Sequence, residues 1–220
     1  IFDSDRQWFG ETKKGAKQYI ETLRKNGVHV MLKPQIWIRR GEFTGNLTMQ
    51  SDADWKKLED SYTKFILLYA GLAEETKTDI FCIGTELASF VKNRPEYWSH
   101  LIGEVRKVYK GKITYAANWD EYNKTPFWDQ LDYIGVNAYF PICDRQNPTM
   151  QTMREGWQPW KTKLKKLALE VKKPMLFTEY GYRSMDYTGK KPWLVERNEE
   201  TANLKAHSDA TQSRIEELSD

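Results

Sequence analysis

Ile80-Phe81-Cys82-Ile83-Gly84-Thr85-Glu86 is a short apolar run that ends on a carboxylate. Its length and content suit a buried strand. Upstream, Trp55, Leu58, Tyr62, Phe65, Ile66, Tyr69 and Ala73 recur at helical spacing, behind Ser51 and Asp54 as an N-cap pair. Downstream, Pro95 suits the first turn of another helix, whose Trp98, Leu101, Ile102 and Val105 fall on one face. The stretch therefore reads as helix, strand, helix.

The same alternation extends both ways. Ala16, Tyr19, Ile20 and Leu23 mark a helix over residues 12–26, stopped by Gly27, and Val28 to Leu32 reads as a strand. A loop with Gly41, Gly45 and Asn46 follows. Beyond the central stretch come a strand over residues 112–118, a turn of helix near Trp128 and a strand over residues 132–139. A helix over about 150–171 carries Met153, Trp157, Trp160, Leu164 and Leu167. Pro174 opens a fifth strand over residues 175–180, and a weaker helix is expected from about Glu199. Five strands alternating with helices predict an α/β fold with a parallel sheet. No Gly-rich phosphate loop follows any strand, which disfavours a nucleotide-binding sheet. The expectation is a (β/α)₈ TIM barrel with about five of its eight βα units present, residues 1–220 forming one partial catalytic domain.

Composition narrows the function classes. The 34 basic and 31 acidic residues are interspersed, so no basic block marks a nucleic-acid footprint. No apolar run approaches the roughly 18 residues of a membrane span. Cys82 and Cys143 lie far apart and do not suggest a disulfide framework. His29, His100 and His207 sit in separate elements without metal-ligand spacing, and His29 reads as a strand packing residue. No Gly-x-Ser-x-Gly elbow occurs. Neither metal nor cofactor is expected. The chain begins Ile1-Phe2-Asp3 with no signal peptide in view, which leaves its compartment open.

Barrels keep their active sites at the C-terminal ends of strands. Two strands end there on a carboxylate, at Glu86 and at Glu179 in Leu176-Phe177-Thr178-Glu179-Tyr180-Gly181. Glycoside cleavage needs such a pair, one group to protonate the leaving oxygen and one to attack or to activate water. Asn118 and Asn137, also at strand ends, suit hydrogen bonds to sugar hydroxyls or to a carboxylate. Tyr139 shares a face with Asn137 and is placed to donate its hydroxyl to Glu179. Trp37 and Trp119 are candidate platforms for sugar rings, in a chain with nine Trp and twelve Tyr.

The segments Arg6-Gln7-Trp8-Phe9-Gly10-Glu11, Met31-Leu32-Lys33-Pro34, Phe81 to Glu86, Leu131 to Pro141 and Phe177 to Gly181 closely resemble family 113 of the glycoside hydrolases. The resemblance runs from about residue 5 to 210. It implies a clan A retaining enzyme, with β-1,4-linked mannan or manno-oligosaccharides as substrate. Glu86, after the fourth barrel strand, would be the general acid/base, and Glu179, after the seventh, the nucleophile. Barrel strands one, two and eight, with the Trp that the eighth commonly places under the −1 sugar, have no counterpart here. Thr85 stands where the wider clan usually has an Asn before the acid/base, so Asn118 becomes a candidate for the contact to the sugar 2-hydroxyl. A polysaccharide substrate makes an extracellular or periplasmic location the expectation. The alternatives are a saccharide-binding barrel without turnover, a hydrolase of another β-linked hexoside, and a barrel isomerase or lyase using one Glu as base.

Overall fold

The structure is a computed structural model and describes residue 10, residues 12–38 and 42–194, and residues 209, 211 and 212. Most of the helix expected from about Glu199 and most of the Arg6–Glu11 segment lie outside the described residues, although residues 209, 211 and 212 are helical. The chain divides into two compact units, residues 1–117 with 124–134, and residues 118–123 with 135–220.

In the first unit, α1 (Lys13–Lys25) is capped by Thr12, whose Oγ1 accepts the Gly15 N–H at 3.1 Å. Arg24 and Lys25 in its last turn complement the negative end of the helix dipole. Gly27 takes the left-handed φ of +75° that turns the chain out of the helix. The strand β1 is only Met31–Leu32, shorter than the expected Val28 to Leu32. Asp79 is the reason. Its Oδ2 accepts the Val30 N–H at 2.8 Å, and Val30's carbonyl takes the N–H groups of Asp79 and Ile80. A side chain thus occupies backbone that would otherwise pair in the sheet. His29 does not pack as expected: its side chain is 93% exposed, with Nδ1 3.0 Å from Asp79 Oδ1.

Helix α2 (Asp52–Glu75) starts at Ser51, whose Oγ accepts the Asp54 N–H, and leads to β2 (Ile80–Thr85). A short helix that the periodicity does not reveal, α3 (Ala88–Asn93), precedes α4 (Pro95–Val108) and β3 (Lys112–Asn118). β1, β2 and β3 are parallel, with Leu32 opposite Phe81 and Phe81 opposite Ile113; the β2–β3 register shifts between Cys82 and Thr85. Between α2 and α4, Arg94 Nε donates to the buried Glu59 at 2.5 Å. Trp98 is fully buried, stacks on Phe127 at 5.6 Å and meets Tyr115 edge-on at 5.4 Å. This cluster presses on β2: a Cβ at Gly84 would lie 2.9 Å from Trp98 and 3.0 Å from Tyr115, so only glycine fits. The Cys82 thiol is buried and free, and burial pushes its pKa to about 11.

In the second unit, β4 (Ile134–Asn137) opens in the last residue of the first unit and is neighboured by β5 (Met175–Glu179). Both are shorter than expected. Between them runs α5 (Met150–Val171), capped by Thr149 and ended by Lys172 at a left-handed φ of +58°. Trp157 and Met153 are fully buried from its inner face, and Phe140 stacks on Trp160 at 4.7 Å. A side chain at Gly156 would collide with the Ile142 carbonyl, so the glycine sets how closely helix and loop approach. No described helix is long and apolar enough to cross a membrane.

Candidate active site

Glu86 follows the last residue of β2 and has φ of +51°, a left-handed backbone that costs a non-glycine residue about 1 kcal/mol or more. Two hydrogen bonds hold it in this strained turn. Its N–H donates to the Ala116 carbonyl at 2.9 Å, and the N–H of Leu87 donates to the buried Tyr115 hydroxyl at 2.7 Å. The residue is half-buried. Thr85 before it is buried, and its Oγ1 has no hydrogen-bond partner among the described residues. Trp37, also in the first unit, has 82% of its surface exposed.

In the second unit the geometry gathers round Glu179, the last residue of β5. Its carbonyl accepts the Ala138 N–H at 2.8 Å, which ties it to the end of β4. Tyr139 Oη donates to Glu179 Oε2 at 3.1 Å. Asn137 is fully buried, with Oδ1 accepting the Thr178 hydroxyl at 2.8 Å, so it fastens β4 to the residue before Glu179. Asn118 Oδ1 accepts the Trp119 N–H at 2.9 Å, and its own N–H goes to Glu121. One face of Trp119 is covered by Trp193, stacked at 4.9 Å, and Trp160 meets it edge-on at 5.8 Å.

Trp193 is the neighbour that sequence reading missed. It sits in a loop without periodicity, and the only signal for it is the aromatic excess of the chain. Among the described residues no group of three or more His, Cys, Asp or Glu is placed to hold a metal ion.

The sequence matches the profile of Glycoside Hydrolase Family 113 over residues 7–217. The chain belongs to this family. Among curated proteins nothing matches it in sequence. A family 113 β-mannanase from Alicyclobacillus acidocaldarius is 24% identical, with a TM-score of 0.83 over 94% of this chain and 63% of its own. Two further solved family 113 β-1,4-mannanases are 26% and 25% identical, with TM-scores of 0.81 and 0.80. They cover 94% and 99% of this chain and 64% and 68% of their own. A β-glucuronidase from Faecalibacterium prausnitzii, 14% identical with a TM-score of 0.63 over 93% of this chain and 32% of its own, shares the fold alone. This chain therefore spans about two thirds of the length of the family 113 structures. The fold is that of the family 113 TIM barrel, with five strands and their helices described here.

Proposed function

We propose that the protein is a retaining hydrolase of β-1,4-linked mannan or manno-oligosaccharides, with Glu179 as nucleophile and Glu86 as general acid/base. The supporting observation is the setting of Glu179. Its main chain is fixed at the end of β5, and one carboxylate oxygen is held by Tyr139. A carboxylate with one oxygen tethered presents the other in a defined direction, which an attacking group needs. The anomeric carbon is attacked by that oxygen while Glu86 gives its proton to the leaving glycosidic oxygen. A covalent glycosyl-enzyme results. Glu86, now ionised, takes a proton from water, which attacks the same carbon and releases Glu179. Two inversions leave the product with the starting β configuration. The residues supply both proton transfer and nucleophile, so the reading calls for no cofactor. The Asn118 Nδ2 group and Trp37 are assigned to substrate contacts. The polysaccharide substrate carries with it a place outside the cytoplasm.

The test is hydrolysis of soluble mannan and aryl β-mannosides by the full-length protein, with the first product observed by proton NMR. The β anomer is expected to appear first. An α anomer would replace double displacement by an inverting reaction. Azide added to Glu179→Ala should yield the α-glycosyl azide, and added to Glu86→Ala the β-azide; the reverse pattern would exchange the two roles. Faster cleavage of aryl β-glucosides would move the substrate to another hexoside, and binding without cleavage would leave a saccharide-binding barrel.

A further inference from the structure

The chain that leaves β5 folds into a second, separate feature in the same unit as Glu179. Residues 183–194 enclose an open cavity of about 340 Å³, lined by Arg183, Asp186, Tyr187, Lys190, Lys191 and Leu194 among others. The size falls in the range of small-ligand sites. Three cations and one carboxylate line it, and Asp186 is engaged by the Gln146 side-chain amide at 2.8 Å. Lys190 stands over the Tyr187 ring at 5.7 Å, and neither Lys190 nor Lys191 is paired with a carboxylate among the described residues. The wall is therefore cationic, with an aromatic face and the apolar Met185 and Leu194 beside it.

The cavity is preformed. Gly189's carbonyl accepts the N–H groups of Ile142 and Cys143 at 2.8 and 3.1 Å, and a Cβ on Gly189 would crowd Cys143 at 3.1 Å. The Tyr187 N–H donates to the Gln146 carbonyl at 3.0 Å, and the buried Thr188 hydroxyl to the Arg183 carbonyl at 2.6 Å. Tyr187 is held at a left-handed φ of +55°. At the far end of the same loop, Trp193 is 42% exposed and lies against Trp119 at the end of β3. The loop that lines the cavity thus also carries an aromatic side chain packed on Trp119.

We infer that this cavity is an accessory subsite for a sugar unit that carries a carboxylate, a uronic acid on or in the glycan chain. The aromatic and apolar surfaces suit the carbon face of a sugar ring. Lys190 and Lys191 suit its carboxylate, through charge-assisted hydrogen bonds that a neutral hexose cannot form. The inference rests on the glycan-hydrolase reading for its ligand class. It adds a preference for acidic chains.

The experiment is calorimetric binding to full-length Glu179→Gln, which keeps the substrate intact. The probes are a manno-oligosaccharide bearing glucuronic acid, its carboxyl-reduced counterpart, and inorganic phosphate. The acidic probe should bind about tenfold more tightly than the reduced one, and the difference should shrink as salt screens the lysines. Lys190→Ala with Lys191→Ala should abolish the difference. Equal binding of the two oligosaccharides overturns the inference. So does a preference that survives in the lysine variant, which places the carboxylate elsewhere. Phosphate binding as tightly as the acidic probe would make the cavity a plain anion site and also overturn it. Cleavage of neutral mannan by the unmodified protein is measured separately. A protein that cleaves but shows no preference refutes the subsite alone; one that shows the preference but cleaves nothing refutes the proposed reaction alone.

Discussion

Replacing Tyr139 by Phe removes one oxygen, the one that donates to Glu179 Oε2 at 3.1 Å. A hydrogen bond to an ionised partner is worth about 1.5–3 kcal/mol. This one is longer than the roughly 2.5–2.7 Å of the strongest O–H···O⁻ bonds. Both side chains are also half-buried, so the lower end of that range applies. About 1.5 kcal/mol corresponds to roughly tenfold in rate. Direction separates two roles. As the proposed nucleophile, Glu179 would lose negative charge on bonding to the sugar, so a purely electrostatic bond would be stronger before attack than during it. Its removal would then leave kcat unchanged or raise it. A bond that aims the carboxylate is needed most at the moment of attack, and its loss slows the reaction. The expected result is a fall in kcat of about tenfold on an aryl β-mannoside, with KM changed far less. Circular dichroism should be unchanged, because the Phe ring keeps the packing of Tyr139. A kcat within twofold of the unmodified enzyme, or above it, would refute the positioning role.

Tyr115→Phe should leave the Leu87 N–H unpaired in a buried site, costing about 1–3 kcal/mol in a denaturant melt, and should lower kcat as the Glu86 turn relaxes. Glu86→Asn should relieve part of the left-handed strain, raising the melting temperature by a few degrees for about 1 kcal/mol while abolishing hydrolysis. The Asp79 carboxyl is held below its ordinary pKa by the Val30 N–H and, against the opposing effect of burial, by His29 and Arg24. A lowered folded pKa means the stabilisation is full above the ordinary value near 3.8 and is lost as pH falls through the lower one. Acid titration followed by fluorescence should therefore lose stability below about pH 4, and Asp79→Asn should flatten that loss. Of the two cysteines, only Cys143 should react with a thiol reagent in the native protein, since Cys82 is buried with its pKa near 11. Labelling of Cys82 without denaturant would contradict that burial.

The strands that read most clearly from sequence are those whose two faces are both covered. β2 and β3 are buried along nearly their whole length and fall where the pattern places them. β1 was less legible because its pairing is decided by a side chain from another element. Asp79 binds the Val30 N–H, which no local pattern of Val28 to Leu32 can announce. The helix α3 is a single short turn and a half, too brief for a period of 3.6 to declare itself. His29 was misplaced for the same reason as β1. Once the strand begins at Met31, the residue before Val30 has no sheet to pack on and stays in water.

At the site, strand-end position was legible and direction was not. Period-two alternation put Asn137 and Tyr139 on one face, yet Asn137 is buried against Thr178 while Tyr139 reaches Glu179. The alternation lapses because the Tyr139 N–H donates back to the Asn137 carbonyl at 3.0 Å, a tight turn that ends the strand between them. Glu86 carries the opposite lesson. A turn that needs a left-handed residue is filled most cheaply by Gly or Asn. Here it holds a Glu, and the Ala116 carbonyl and Tyr115 hydroxyl are committed to sustaining it. A carboxylate set on a strained backbone, where an unstrained residue would close the same turn, is explained by chemistry at its side chain more readily than by the needs of folding.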